Sequence, residues 1–283
     1  MKTCFATVIY KQAKSFFSDL VNSIDSQTDK DFDFVIFNDN YTHEDLQSLG
    51  VFSSEGQVTK ITPSLTGEVS LVDLSDWHCS IAGTRIELLK ITKQLGYELV
   101  IIGDADDTFD SARIGELKKA AELDKDSVFF YNKLVKDNGE EVFDYLPESL
   151  TDIEQIAQEN FVGMSTSAIR VDKLSEEFLD SLSEGESNVF DWYLFSRIVL
   201  DVGPGKYVPT ASTIYRLYDN NEVGTNRDLE KEKSVKLVHY ANLAKRYESF
   251  KELHDKLEQL DVSKLQLSAH HQGYWWSDIK LEN

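Results

Sequence analysis

The alternation of short apolar runs with segments of helical periodicity is the feature that most constrains the fold of this chain. Residues 5–10, 32–37 and 99–102 are rich in β-branched and aromatic side chains, which is typical of buried strands. Between them, residues 15–26 and 83–95 space their apolar side chains at helical intervals. This order predicts an α/β fold with a mostly parallel open sheet flanked by helices.

Further strands are predicted on either side of the last of these runs. Residues 58–61 predict a weaker strand, and residues 128–131 predict a stronger one. Residues 142–145 form a short apolar run that can pair with 128–131 across the turn residues Asn138 and Gly139. The sheet is therefore expected to continue beyond its parallel part.

The composition changes near residues 221–227, where we predict a domain boundary. The α/β domain then covers residues 1–225, and residues 226–283 form a C-terminal helical extension rich in Lys, Glu and Leu. One side of the extension carries a stripe at alternating three- and four-residue steps, consisting of Tyr240, Leu243, Tyr247, Phe250, His254 and Leu257. Such a stripe must be covered, either by the α/β domain or by a second copy in a homodimer.

Charge and composition exclude several classes of partner. With 29 basic and 50 acidic residues the net charge is −21, which repels nucleic acid and anionic membranes, so neither is an expected partner. The two cysteines are too few for a disulfide framework and fit a reducing compartment. Because no apolar run is long enough for a signal peptide or membrane span, a cytoplasmic location is expected.

Acidic turns follow two of the predicted strands. Asp39 comes after the strand at 32–37, and Asp104, Asp106 and Asp107 come directly after the strand at 99–102. In open parallel sheets ligands bind at the carboxyl ends of strands. Clustered carboxylates repel one another and suit a hard cation such as Mg²⁺ or Mn²⁺. An ordinary acidic loop is the alternative interpretation in so acidic a chain.

Five segments, in chain order, resemble the motifs of the family 2 glycosyltransferases with the GT-A fold. The first is a helix that ends with Ser23, Gln27 and Thr28, followed by a strand that ends at Asp39. The second is the Asp-x-Asp-Asp turn of Asp104, Asp106 and Asp107. The other three are the segments 161–166, 190–193 and 213–216. The matches run over residues 7–221, which is most of the chain. The resemblance implies a GT-A fold and transfer of a sugar from a nucleotide-diphosphate sugar, as in polysaccharide biosynthesis.

The resemblance also implies roles for individual residues. Asp39 contacts the nucleoside, Asp104 faces the nucleotide or donor sugar, and Asp106 holds a divalent cation, Mn²⁺ or Mg²⁺. Asp191 corresponds to the catalytic base of the family's Glu-Asp motif, although a helix N-cap is an alternative role for it. The acceptor side is assigned to Gly163, Thr166 and Trp192.

Three more donor-binding residues are suggested by side-chain chemistry. Arg85 and Arg216 carry planar donor forks that suit a diphosphate, with a surface ion pair as the alternative for Arg85. Tyr10 follows the first strand and could stack on the base, with core packing as the alternative. The chain departs from the family at Phe190, where a Glu is expected, and at Tyr218, where a His is frequent; both departures bear on catalysis and metal binding.

The sequence thus predicts an inverting, metal-dependent glycosyltransferase with Asp191 as general base. Its partners would be a nucleotide-diphosphate sugar and a carbohydrate or glycoconjugate acceptor. A nucleotidyltransferase of the same fold is an alternative, disfavoured because residues 10–13 lack the glycines of a triphosphate-binding loop. A non-catalytic nucleotide-sugar-binding or scaffold protein is a second alternative, suggested by Phe190 and Tyr218.

Overall fold

The computed structural model describes residues 1–52, 58–59, 61–62, 64–77, 80–182, 189–216, 228–265 and 273–282. The strands formed by these residues are β1 Thr3–Ile9, β2 Asp33–Asn38, β3 Val69–Asp73, β4 Leu99–Ile102, β5 Thr108–Phe109, β6 Phe129–Lys136, β7 Ser149–Leu150, β8 Ser167–Arg170 and β9 Gly205–Tyr215. The α-helices are α1 Phe17–Asp25, α2 His43–Ser48, α3 Ile81–Gln94, α4 Arg113–Leu123, α5 Glu176–Asp180, α6 Phe190–Asp201, α7 Leu229–Ala244 and α8 Glu248–Gln259.

All these strands belong to one mixed sheet, in the order β3-β2-β1-β4-β8-β6-β9-β5, with β7 paired to β9. The first four strands are parallel, as the alternation of strands and helices in the sequence predicts. Beyond β4, strand β8 runs antiparallel to both β4 and β6, and β6 is parallel to β9. The sheet is thus parallel in its N-terminal half and mixed in its C-terminal half.

Successive residues of each strand pack on opposite faces of the sheet and build two cores. On β1, Cys4 and Ala6 contribute to one core, whereas Phe5 contributes to the other. Helices α1 and α4 cover the Phe5 face, while α3, α5, α6, α7 and α8 cover the Cys4 face. The sheet is therefore covered by helices on both sides, as expected for an α/β fold.

The strand predicted at residues 58–61 is wrong. Val58 makes only an isolated bridge with Phe52, and the strand next to β2 is β3, Val69–Asp73. Because β3 lies at the edge of the sheet, its first four residues are only partly buried and its fifth is exposed. An edge strand has no need of the continuous apolar run by which buried strands are recognised.

The turn predicted at Asn138 and Gly139 is present, but the partner strand is not. Gly139 has φ +85°, which a glycine adopts without strain, and Val135 forms an isolated bridge with Glu141. The Val142 N–H donates to the Leu134 carbonyl at 2.9 Å. Residues 142–145 form no strand, so the pairing with β6 ends at Val142.

The C-terminal extension forms two helices, α7 and α8, and its apolar stripe is covered within the chain. Tyr240, Leu243, Phe250 and Leu257 are buried in the core that also contains α6 and β6, whereas the other two stripe residues are half-buried. Because the stripe is covered within the chain, it no longer argues for a homodimer, which stays a prediction. The domain boundary predicted at 221–227 lies outside the described residues and also stays a prediction. None of the described helices has the length and apolarity needed to cross a membrane.

Candidate active site

The carboxyl ends of β1, β2 and β4 meet at one edge of the sheet because these strands are parallel. The Asp39 N–H donates to the carbonyl of Ile9 at 3.1 Å, and the Gly103 N–H donates to the carbonyl of Ala6 at 3.1 Å. Tyr10, Asp39 and the acidic turn after β4 are consequently neighbours at this edge. The structure therefore brings together residues that the sequence assigns to donor binding.

The acidic turn after β4 is fixed by a serine from the acceptor-side segment. The Asp104 N–H donates to the hydroxyl of Ser165 at 3.1 Å, and this hydroxyl donates to the Asp107 carboxylate at 2.5 Å. Gly103 allows the chain to enter the turn, since a Cβ there would stand 2.4 Å from the rings of both Phe5 and Phe109. Asp107 is buried and Asp104 is partly buried.

The carboxylates of the turn are costly to keep ionised together. Burial, followed by the charges of Asp106 and Asp191, raises the pKa of Asp104 to about 6, and Arg85 opposes this rise. Burial and the charges of Asp104 and Asp106 also raise the pKa of Asp107. A divalent cation would relieve this repulsion, and hard oxygen ligands suit Mg²⁺ or Mn²⁺. The carboxylate of Asp106, the predicted metal ligand, is of the chemical type that fits this cation.

Arg85 links the acidic turn to the predicted base. Its guanidinium donates to the Asp191 carboxylate and lies 3.4 Å from a carboxylate oxygen of Asp104. Asp191 also accepts a hydrogen bond from the Met164 N–H at 3.0 Å. Asp191 lies in the first turn of α6, but the N-cap is Val189, so the contacts of its carboxylate are with Arg85 and Met164 rather than those of a helix cap.

Arg216 reaches the same edge from the end of β9. Its Nε donates to the Asp106 carbonyl at 3.3 Å, and its Nη2 pairs with Asp19 at 2.7 Å. The guanidinium also lies 4.8 Å from the ring centre of Phe16. The second predicted arginine is thus held beside the acidic turn, whereas Tyr218 lies outside the described residues.

The three residues assigned to the acceptor side occupy different environments. Gly163 lies beside Asp191, and the Thr166 hydroxyl accepts from the Gly163 N–H at 3.1 Å and fixes this turn. Trp192 is fully buried; its indole N–H donates to the Ile156 carbonyl at 2.6 Å, and its ring stacks on His239 at 3.9 Å. Because successive helical residues point about 100° apart, Trp192 faces the core while Asp191 faces the site.

Sequence reasoning missed Arg113, which binds the backbone of two residues that adjoin the acidic turn. This arginine is fully buried and donates to Asn132 at 2.9 Å and to the carbonyls of Ile102 and Ser165 at 2.8 Å each. Burial lowers its pKa to about 9, although Asp107 and Asp104 oppose this effect. Its position in an ordinary amphipathic helix gives no sequence signal for this role.

A cluster of three potential metal ligands in the described part of the chain lies elsewhere, on helix α8. His254, Asp255 and Glu258 can bring one ligand atom each within 4.8 Å of the others. Two of the three are exposed and all lie on one helix. Acidic groups at a helix surface are commonly solvated, so this cluster adds nothing to the site at the edge of the sheet.

Solved structures share the fold of this chain, whereas no protein-family model and no curated protein matches it. S. aureus TarS 1–349 in complex with UDP-GlcNAc superposes with a TM-score of 0.60 at 17% identity, covering 93% of this chain and 74% of that one. The mannosyltransferase PcManGT of Pyrobaculum calidifontis, in complex with GDP-Man and Mn²⁺, gives 0.57 at 12% identity, covering 91% and 68%. The chain has the GT-A fold.

Within this GT-A fold, the site lies at the carboxyl edge of the parallel strands. At such low identities the shared property is the fold, and a fold alone does not define a reaction. The reaction has to be inferred from the side chains at this edge, above all from Arg85, Asp104 and Asp191.

Proposed function

We propose that the protein is an inverting glycosyltransferase that transfers a sugar from a nucleotide-diphosphate sugar to an acceptor hydroxyl. The observation that carries this proposal is the bridge from Asp104 through Arg85 to Asp191. It joins a carboxylate at the end of β4, a cation suited to a diphosphate, and a carboxylate suited to act as a base. Glycosyl transfer requires these three functions side by side.

The donor would lie along the edge formed by β1, β2 and β4. Tyr10 would contact the nucleotide base and Asp39 the nucleoside; the support for this is that they follow neighbouring parallel strands. Arg85 contacts Asp104 and Arg216 contacts the carbonyl of Asp106, and both would bind the diphosphate through their planar forks. Asp106 would hold Mn²⁺ or Mg²⁺, which would neutralise charge on the leaving diphosphate.

Asp191 would act on the acceptor. Its carboxylate accepts the proton of the acceptor hydroxyl while the hydroxyl oxygen forms a bond to the anomeric carbon of the donor sugar. The bond from that carbon to the diphosphate breaks, and the diphosphate leaves with the electron pair. One displacement without a protein nucleophile inverts the anomeric configuration. The Met164 N–H orients the base, and 19% of the Asp191 side chain is open to solvent, which gives the acceptor access.

Calorimetric titration followed by a turnover screen tests the proposal. UDP and GDP are titrated with and without Mn²⁺, and hydrolysis of UDP-Glc, UDP-GlcNAc, UDP-Gal and GDP-Man is then measured. We expect one nucleotide to bind in the presence of metal and the matching sugar to be hydrolysed slowly. Binding without turnover of any donor indicates a non-catalytic protein. Release of pyrophosphate from a nucleoside triphosphate and a sugar phosphate indicates a nucleotidyltransferase.

A further inference from the structure

Trp275, in the last part of the chain, lies next to the proposed catalytic base. A Cβ built on Gly163 would stand 3.4 Å from Cη2 of Trp275 and 3.6 Å from Oδ2 of Asp191. Gly163 therefore separates an indole ring from a carboxylate without filling the space between them. Trp275 is only partly buried, so part of its surface is open to solvent.

The backbone at Trp275 is fixed to the α/β domain. Asn160 and Trp275 form an antiparallel bridge in which each N–H donates to the other's carbonyl, at 2.9 and 2.8 Å. The indole meets Phe143 edge to face, with ring centres 5.1 Å apart. Since Asn160 lies just before Gly163, the bridge sets the position of the indole relative to Asp191.

A buried ion pair on α7 binds the backbone of residues 278–279, just after Trp275. Glu232 accepts from the N–H groups of Ile279 and Asp278 at 2.8 and 3.2 Å, and it pairs with Lys236 at 3.0 Å. Lys236 in turn donates to the Ile279 carbonyl. Because both partners of this pair also bond to the backbone of residues 278–279, they fix the register of these residues against α7.

The backbone bends in the left-handed region on both sides of Tyr274 and Trp275. Gly273 has φ +65°, and a Cβ there would stand 2.7 Å from the carbonyl oxygen of Val142. Trp276 has φ +57°, the one positive φ of a non-glycine residue in the described ranges. Strained backbone of this kind persists where the surroundings impose it and is concentrated at ligand-binding sites.

We propose that Trp275 forms an acceptor subsite that stacks on a neutral sugar ring and presents one of its hydroxyls to Asp191. This inference rests on the proposed function, because it takes Asp191 as the base. The acceptor hydroxyl must lie within hydrogen-bond reach of Asp191, so the atoms around that hydroxyl are the ones the indole contacts. A sugar ring offers a hydroxyl and an apolar C–H face together, and the electron-rich face of an indole attracts such C–H groups.

Charge and shape argue for this ligand class over others. Once the donor diphosphate occupies Arg85 and Arg216, the charges of Asp104 and Asp191 and the net charge of −21 would repel an anionic acceptor. The side chain of a serine carries a single methylene for the indole to contact. A neutral sugar can contact the indole of Trp275 with its C–H face and the carboxylate of Asp191 with a hydroxyl at the same time. The C-terminal segment is thereby assigned to the acceptor site as well as to the core.

The test compares Trp275→Ala and Trp275→Phe with the unchanged protein. The acceptor probes are methyl β-glucoside, methyl β-N-acetylglucosaminide, methyl α-mannoside, cellobiose and chitobiose, with the donor found active. Trp275→Ala is expected to raise the acceptor KM tenfold or more and to leave the affinity for the nucleotide diphosphate within twofold. Trp275→Phe should recover most of the acceptor affinity, since it keeps an aromatic face at the same place. Tyr145→Ala removes an aromatic ring that is 58% exposed and serves as the control; its acceptor KM should stay within twofold.

The outcomes separate the two proposals. If the unchanged protein binds no nucleotide diphosphate and hydrolyses no donor, the proposed function fails. If it hydrolyses a donor but transfers to none of the neutral probes, or transfers equally well to a hydroxylated peptide, the assignment of a neutral sugar is overturned. An acceptor KM that is unchanged in Trp275→Ala, or a matching loss of nucleotide affinity, overturns the role of Trp275. Thermal melts of both variants show whether a loss reflects unfolding.

Discussion

The guanidinium of Arg85 donates a hydrogen bond to the carboxylate of Asp191 and forms an ion pair with it, although Asp191 lies 106 positions further along the chain. The contact joins helix α3 to the first turn of α6, and the same guanidinium also pairs with Asp104. A diphosphate bound at the acidic turn would compete with both carboxylates for these donors. Donor binding is therefore expected to weaken the Arg85–Asp191 contact and to release the base for the acceptor.

Arg85→Lys tests the part of Arg85 in donor binding. Lysine keeps the charge but loses the planar fork, so the affinity for the nucleotide diphosphate should fall about tenfold, which corresponds to about 1.4 kcal/mol. Calorimetric titration in Mn²⁺ measures this change. Arg246→Lys, at an exposed position, is the matched control. Equal affinities in the two variants would remove Arg85 from the diphosphate site.

Asp191→Asn tests the general base. The amide keeps the shape of the side chain but accepts a proton far less readily, so turnover should fall by roughly 10² or more while donor affinity stays nearly intact. The matched control is Asp201→Asn, which also removes an Asp–Arg ion pair from α6 but lies at the other end of the helix. A normal rate in Asp191→Asn, or an equal loss of donor affinity, would assign Asp191 to structure instead.

Asp106→Asn tests the metal site. Without a cation, Asp104 and Asp106 would face the diphosphate as like charges, so nucleotide binding should be weak in EDTA and restored by Mn²⁺. Asp106→Asn should remove most of this metal dependence together with activity. Asp110→Asn, four residues further on and exposed, controls for loss of charge. Mn²⁺ binding is followed by electron paramagnetic resonance, and full turnover in EDTA contradicts the prediction.

The strand ends were the most predictable part of the molecule. Each buried strand of the parallel half is a short apolar run followed by a polar turn, so the sequence alone places Asp39 and Asp104 at one edge. Strand β9 was not predicted, although it pairs with three others. The buried positions of Gly205–Tyr215 are two or three residues apart rather than regularly alternating, and the segment includes a proline, so it lacks the period of two by which a strand is recognised.

Contacts between distant segments were beyond sequence reasoning for a physical reason. Arg113 and Trp275 reach the site through tertiary packing, and neither belongs to a recognisable motif. The position of Trp192 next to Asp191 in the sequence suggested a shared role, yet helical geometry turns its side chain into the core. Periodicity gives the face of an element, and packing against other elements decides which face meets the ligand.

The buried His239 predicts an acid-sensitive core. Burial lowers the pKa of His239 to about 3, with a smaller contribution from the charge of Lys236. The unfolded chain takes up a proton near pH 6.5 and the folded chain does not, so stability is complete above pH 6.5 and is lost as the pH falls from there toward 3. The expected loss between pH 6.5 and 4.5 is about 2 kcal/mol.

His239→Phe provides the comparison for this pH effect. Phenylalanine keeps a ring against Trp192 but has no proton to bind. Urea unfolding from pH 4.5 to 7.5 should therefore give a shallower decline in the variant than in the unchanged protein. Parallel curves would mean that His239 is protonated in the folded state or that other groups control the acid transition.

The helical extension should be indispensable for folding of the α/β domain. Leu243 and Phe250 are buried in the core that also contains α6 and β6. Replacing both by Glu would bury two unpaired charges, and each such change costs several kcal/mol. We expect thermal melts of Leu243→Glu/Phe250→Glu, and of a chain ending at residue 226, to show loss of the cooperative transition. Lys251→Glu, at an exposed position of α8, should melt normally. If the shortened chain stays folded and loses only transfer to acceptor, the extension serves the acceptor site alone, and the shared core contributes less to stability than its burial implies.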